Sequence, residues 1–413
     1  MKNNKQALTI FLLLTASLVM LGSCRKEKIQ PEQANTFIKY YGKGGTQKAG
    51  NVAVTADGGY ILVGTTDSYG DGKQIMVVKT DQFGNEQWTK VLGGAGDDEG
   101  NWVIVSSNGN YILTGSKAEA GGSTSDVYVA ELSGSGAVVG ENTYGTAGKD
   151  DVGARIINAT FKGVKGYAII GSTADYTSER GLYLIKLNNN RVKEWEGKFG
   201  DNNASASSQY FGTGIQQLND TAYISTGNLI DGITLNILVT KGRINMNTLG
   251  FNSSSSIDKS LFQSIDPTII HANDILIEGG INKIILGDNS IGDCYITRVA
   301  ADNNENILLY KPFGTSALDV SSSFNITSDG GFIIAGSTMI NGNWDIWIVR
   351  TDANANPIWT KTFGGAGNDY GASVEQKSDG SFIVTGTIAF GGNATGANDV
   401  ISLIHVDSNG EIK

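Results

Sequence analysis

The chain has 413 residues, with 56 glycines, only 4 prolines, 40% hydrophobic and 17% charged residues, and a net charge of −10. That composition belongs to a folded, turn-rich protein and excludes a disordered one. The acidic balance argues against nucleic acid or anionic headgroups as partners.

Lys2 and Lys5 precede an apolar run over residues 7–21, followed by Leu21-Gly22-Ser23-Cys24. A basic start, a short apolar stretch and small residues describe a secretory signal over residues 1–23, too short and wrongly flanked for a spanning helix. The Leu-Gly-Ser-Cys ending resembles the lipobox of bacterial lipoproteins, which implies that Cys24 becomes a lipidated first residue anchored in a membrane. Removing Lys2 and Lys5 takes the net charge from −10 to −12. With Cys24 modified, Cys294 has no partner for an intramolecular disulfide. Residues 24–35 read as the lipidated cysteine and a polar tether.

From residue 36 onward a segment like Gly-Gly-Tyr-Ile-Leu-Val-Gly returns seven times. Its closing glycine falls at Gly64, Gly115, Gly171, Gly227, Gly287, Gly336 and Gly386. A period of about 50 residues with several short β runs per unit marks a propeller. In the first unit, residues 51–56 and 60–65 are strands joined by Asp57-Gly58-Gly59, a turn that tolerates positive φ. A longer loop leads to a third strand over 74–80, and Asp81 to Asn85 turns into a fourth over 86–92. Third strands recur at Asp126, Asp293, Asp345 and Asp399, and fourth strands around Trp88, Trp195 and Trp359. The last unit stops where its fourth strand should begin, and residues 37–42 match residues 359–364. The expectation is a single domain over residues 36–413: an all-β, seven-bladed propeller of four-stranded blades. Its ring would be closed by the N-terminal strand completing the C-terminal blade. The Ser-rich residues 252–272 interrupt the pattern, and the fourth strand of blade four is expected at residues 243–251 or beyond a longer loop.

The Asp-Gly-Gly-Tyr-Ile-Leu-Val-Gly-Thr core, the Asp-Ile-Trp-Ile-Val-Arg-Thr-Asp strand and the Ile-Trp-Thr-Lys-Thr-Phe-Gly-Gly ending resemble the propeller repeats of bacterial surface lipoproteins, commonest in Bacteroidetes. The likeness covers nearly all of residues 36–413. It implies an outer-membrane, lipid-anchored protein, facing the periplasm or the surface, with a role in glycan handling or adhesion.

Motifs for chemistry are sparse. His271 and His405 lie in different repeats without ligand-like neighbours, so no metal or other cofactor is expected. Cys294 reads as a small core residue. Trp88, Trp195, Trp347 and Trp359 recur at equivalent places and read as packing between blades. Asp98, Asp151, Asp319 and Asp369 recur between blades and read as loop caps, with a cation-binding carboxylate ring as the alternative. Glycoside hydrolysis needs two converging carboxylates; Asp274, Glu278 and Glu375, with Arg155, sit on inner strands without a repeating relation.

Strand alternation puts the loops between strands two and three on the same end as the connections between blades. That end carries the longer loops, with Tyr69, Tyr176, Trp344, Tyr370 and Phe390. Variable loops on a rigid scaffold are where recognition sits, and aromatic faces beside carboxylates suit polyhydroxylated ligands. Tyr69, Tyr176, Trp344 and Tyr370 are therefore the candidate ligand-binding residues, with no catalytic residue assigned. The expected function is a non-catalytic, monomeric envelope scaffold for a glycan or a partner protein. The alternative is a polysaccharide hydrolase or lyase using the central channel.

Overall fold

A computed structural model describes residues 36–70, 72–119, 121–175, 180–199, 208–231, 234–245, 250–257, 269–280, 282–289, 291–300, 306–390 and 398–412. The expected leader, Cys24 and the tether lie outside them. Among the described residues no helix is long and apolar enough to cross a membrane.

The chain folds into successive four-stranded antiparallel sheets, each strand pairing with the next in sequence. The first runs Gln47–Val54, Tyr60–Thr66, Gln74–Thr80 and Glu86–Leu92. Its second and third strands, YILVGTT and QIMVVKT, are buried at every position, as continuous apolar runs covered on both faces require. The fourth, EQWTKVL, is mostly half-buried or exposed and forms the outer edge. The last sheet contains Tyr370–Gln376, Phe382–Ala389, Asp399–Val406 and, as its outer strand, Phe37–Tyr41 from the other end of the chain. Phe37 pairs His405 and Tyr41 pairs Ile401.

The expectation of seven equivalent blades in a closed ring needs correction. Six sheets are regular blades that follow the repeat. The fourth, from Ser208 to Ile257, departs from it, with strands of 12, 10, 12 and 8 residues. Its third strand extends through Asn245, and its fourth is Gly250–Ile257 rather than residues 243–251; Arg243 pairs Asn252 across the hairpin. An outer strand is held by backbone pairing, so the Ser-rich composition of residues 253–256 concealed it. Residues 258–268 lie outside the described set. The pairing of Phe37–Tyr41 completes the last sheet and does not by itself establish ring closure.

The repeating glycine has a steric cause. At each of Gly64, Gly115, Gly171, Gly227, Gly287, Gly336 and Gly386, an added Cβ would lie 1.8–2.6 Å from a carbonyl oxygen of the sheet's first strand. That first strand carries a bulge beside the glycine in every sheet, as between Ala49 and Asn51, Gly153 and Arg155, and Ala272 and Asp274. Bulges divert backbone groups from the ladder. Side chains of the neighbouring sheet take them up: the residue after the glycine accepts an N–H from the next sheet's first strand. Thr65 accepts from Gly100 (3.2 Å), Asp288 from Ser321 (2.8 Å), Ser337 from Gly371 (3.1 Å) and Thr387 from Ala49 (2.9 Å). The Gly-Thr/Ser motif is therefore a joint between sheets.

The tryptophans pack between sheets. Trp347, on a third strand and so not equivalent to the others, meets Phe313 of the preceding sheet at 6.1 Å. The three on fourth strands each meet a ring of the following sheet. Trp88 meets Tyr111 at 6.2 Å, Trp195 meets Tyr223 at 5.6 Å and Trp359 meets Phe382 at 5.8 Å. Cys294 is a fully buried free thiol whose pKa is raised by burial. His405 is buried, with Nε2 at 2.8 Å from Ser381 Oγ.

Candidate functional site

The loop-rich end brings Trp344 and Tyr370 together. Trp344 is the second residue of the third strand of the sixth sheet, Asn343–Thr351, and Tyr370 opens the first strand of the seventh. The backbone joins them: the Trp344 N–H donates to Asn368 Oδ1 (3.1 Å), and the Asp369 N–H donates to the Trp344 carbonyl (2.6 Å). Their ring centroids are 6.4 Å apart at 35°, and Tyr370 is 43% exposed. Asp369 holds the turn beneath, its carboxylate accepting the N–H groups of Gly365 and Ala389, both at 2.7 Å. Asp98 caps Gly94 and Ala118 in the same way, Asp151 caps Thr146 and Asp319 caps Thr315. The capping reading accounts for all four, and no cluster of three or more potential metal ligands occurs among the described residues.

A second aromatic pair lies close by. Tyr40 and Phe390 meet edge to face, with centroids 4.9 Å apart, each 47% exposed. They line a cleft of about 680 Å³ together with Ile38, Phe363, Ala366 and Ile388. Sequence reasoning overlooked Tyr40. Alternation along the N-terminal strand could have found it: Phe37 and Tyr41 enter the core beside the first sheet, so Ile38 and Tyr40 face the sixth.

The remaining candidates separate. Tyr69 faces Lys43, whose Nζ lies 5.9 Å from its ring centroid, and it makes no ring contact with Trp344 or Tyr370 among the described residues. Tyr176 lies outside the described residues.

A smaller cavity of about 120 Å³ is lined by first-strand residues of every sheet, among them Asn51, Trp102, Arg155, Gln216, Asp274, Ser323 and Glu375. The residue after each bulge points into it. Asn51 accepts the N–H of Val103 (3.2 Å), Ser373 that of Val52 (3.0 Å) and Ser323 that of Val374 (3.3 Å). Asp274 continues this ladder, accepting the N–H of Phe324 (3.4 Å) as well as that of its own neighbour Ile275 (2.6 Å), whereas Gly214 has no side chain to do so. Across the step that Gly214 leaves open, Arg155 Nη1 donates to Asp274 Oδ1, both side chains being buried. The Arg155 guanidinium lies 3.8 Å from the Trp102 ring centroid. Burial raises the Asp274 carboxyl even against the neighbouring arginine. Glu375 accepts the Val54 N–H (3.2 Å), and burial pushes it up to about 7. Asp274 and Glu375 thus share the cavity, but Asp274 is committed to Arg155. A 120 Å³ space holds a few waters, well below the several hundred Å³ of a ligand pocket. Glu278 lies elsewhere, paired with Arg298 at 2.7 Å.

Neither protein-family models nor curated proteins match the chain. Solved structures resemble it at low identity. Sqt1 from Chaetomium thermophilum is 8% identical over 91% of this chain and 98% of that one, with a TM-score of 0.49. The β-propeller domain of the Trilobed protease from Pyrococcus furiosus is 9% identical over 89% and 97%, with a TM-score of 0.47. Puromycin hydrolase is 9% identical over 70% of this chain, which spans only 43% of that protein, with a TM-score of 0.44. On its own sheet order the chain is an all-β propeller of four-stranded blades.

Proposed function

We propose that this propeller is a non-catalytic binding scaffold that takes a glycan or a partner protein in the cleft between its sixth and seventh sheets. The observation that carries the reading is the exposed Tyr40–Phe390 contact lining a cleft of about 680 Å³, with the exposed Tyr370 packed on the half-buried Trp344 at the same junction of sheets. The volume suits a ligand of several rings, and amphipathic aromatic faces stack on sugars or anchor a protein partner at little entropic cost. In the same reading, the lipobox-like Leu21 to Cys24 supports a lipid on Cys24 that holds the scaffold at the outer membrane of a bacterial envelope. The channel hydrolase or lyase has less support, because the central cavity is too small for a sugar ring and Asp274 is bound to Arg155.

A glycan array probed with the purified protein tests the binding reading. Binding to at least one class, lost in Tyr40→Ala and Phe390→Ala but kept in Tyr69→Ala, supports this cleft. Binding that survives both cleft substitutions places the site elsewhere. For the anchor, Cys24→Ser should move the protein from the membrane fraction to the soluble fraction; an unchanged distribution refutes lipidation.

A further inference from the structure

We infer that the loop-rich end of the fifth and sixth sheets docks a partner protein presenting an apolar ridge flanked by lysine or arginine, with Leu318 at the centre of the contact. This surface lies outside the cleft, and the inference goes beyond the scaffold reading given for it.

Leu318 breaks a rule that other junctions of the chain keep. There, the residue before the capping aspartate carries a short polar side chain. That side chain accepts an N–H at the start of the preceding sheet's third strand: Asp97 from Lys73 (2.9 Å), Asp150 from Ser125 (3.1 Å) and Asn368 from Trp344 (3.1 Å). Such capping is the ordinary use of Asp and Asn in a loop. Before Asp319 the same place holds a leucine, 47% exposed. The turn is held without it: the Gly292 N–H donates to the Asn289 carbonyl (3.2 Å) and the Asp293 N–H to Asn289 Oδ1 (2.8 Å). An exposed leucine that caps nothing does little for the fold, and such local departures mark surfaces kept for contact.

Leu318 has apolar company on both sides. A Cβ added at Gly292 would lie 2.6 Å from Leu318 Cδ2, so the leucine lies over the turn that carries Ile291, which is 64% exposed. On the other side the Leu318 carbonyl accepts the Met339 N–H (2.9 Å), next to the exposed Ile340. Met339 pairs with Trp344, whose ring meets Tyr370. The apolar surface therefore runs from the fifth sheet to the edge of the seventh. The first three sheets differ: their loops enclose a polar cleft of about 520 Å³, where Lys73 pairs with Glu99 (3.1 Å) and Arg180 with Asp150 (3.8 Å).

Charge selects the partner. Residues 289–293, 314–320, 339–345 and 364–370 contain four aspartates and no lysine, arginine or histidine, and the whole chain carries −10. A cationic partner is steered toward this end, whereas an acidic one, a second copy of this chain included, is repelled. Branched aliphatic side chains offer a sugar neither a flat face nor a hydrogen bond, but they fill the apolar centre of a protein contact.

Calorimetric titration of the purified protein with an amphipathic leucine–lysine peptide and its leucine–glutamate counterpart tests the inference. The lysine peptide should bind at least about tenfold more tightly than the glutamate peptide. Leu318→Asn, which supplies the side chain found at Asn368, should weaken the lysine peptide at least about tenfold and leave the melting temperature unchanged or raised. Val139→Asn, on the outer strand of the second sheet, should change neither binding nor melting. Absent or equal binding of the two peptides overturns the inference, as does binding that survives Leu318→Asn. A lowered melting temperature in Leu318→Asn also overturns it, because the leucine then serves packing. Sedimentation of the parent protein as a dimer that Leu318→Asn separates would give the patch to a second copy instead. Tyr40 and Phe390 take no part in these outcomes, so the cleft reading stands or falls separately.

Discussion

Arg155 on the third sheet and Asp274 on the fifth meet inside the central cavity, Nη1 donating to Oδ1, with side chains only 5% and 2% exposed. Two sheets that are not neighbours in sequence are thereby tied at the place where Gly214 interrupts the side-chain ladder. Removing one member of a buried pair leaves the other charged without compensation, at a cost of about 3–5 kcal/mol. Arg155→Met should lower the stability measured by denaturant unfolding by that order. Arg155→Met combined with Asp274→Asn should recover part of the loss. A double variant as unstable as the sum of its singles would show that the two groups act independently.

Glu375 is a protonation-linked group in the same cavity. Its folded-state pKa, about 7, lies above the ordinary 4.5. Its stabilising contribution is therefore fully present below about pH 4.5 and is lost as pH rises through about 7. At about 1.4 kcal/mol per unit the span is about 3 kcal/mol. Glu375→Gln should flatten the stability profile between pH 5 and pH 8 and raise stability at the alkaline end. A profile identical to that of the parent protein would contradict the assignment.

The closing glycines are held by contact rather than by backbone angle. Gly171→Ala places a Cβ 1.8 Å from the Val152 carbonyl and should cost about 2–3 kcal/mol through forced separation of the strands. Gly134→Ala, with nothing within 4 Å, should be neutral in the same thermal melt. Equal effects of the two would remove the steric account of the repeat.

Phe37 stitches the N-terminal strand into the last sheet, its ring 5.3 Å from His405 and 6.2 Å from Tyr60. Phe37→Ala should cost about 3 kcal/mol and speed amide exchange along Asp399–Val406, which pairs with it. Exchange that accelerates uniformly across the sheets would contradict local stitching.

Much of this was legible in the residues, for identifiable reasons. Strand order, the Asp-Gly-Gly turns and the orphan strand at residues 37–41 follow from period-2 patterning and turn chemistry, which are local. The capping role of Asp98 and its equivalents was legible because it repeats. The Arg155–Asp274 pair was not, since it joins positions 119 residues apart that fill different steps of one ladder. The fourth sheet misled because its outer strand, Gly250–Ile257, carries four serines and no tryptophan such as Trp88, Trp195 or Trp359 to mark it. The aromatic cleft was half legible: Trp344 and Tyr370 were singled out, but their meeting depends on the Asn368 and Asp369 turn, and Tyr40 arrives from the far end of the chain.

The central claim is that ligand is taken at the cleft between the sixth and seventh sheets. Hydrogen–deuterium exchange of the purified protein, with and without a saturating oligomer of the glycan class that the array identifies, tests it most directly. The account predicts added protection confined to residues 340–346, 364–371 and 386–390 and to the strand Phe37–Tyr41. Protection centred instead on the inner strands around Arg155, Asp274 and Glu375, or on the opposite end at the Asp57 and Asp329 turns, would contradict it.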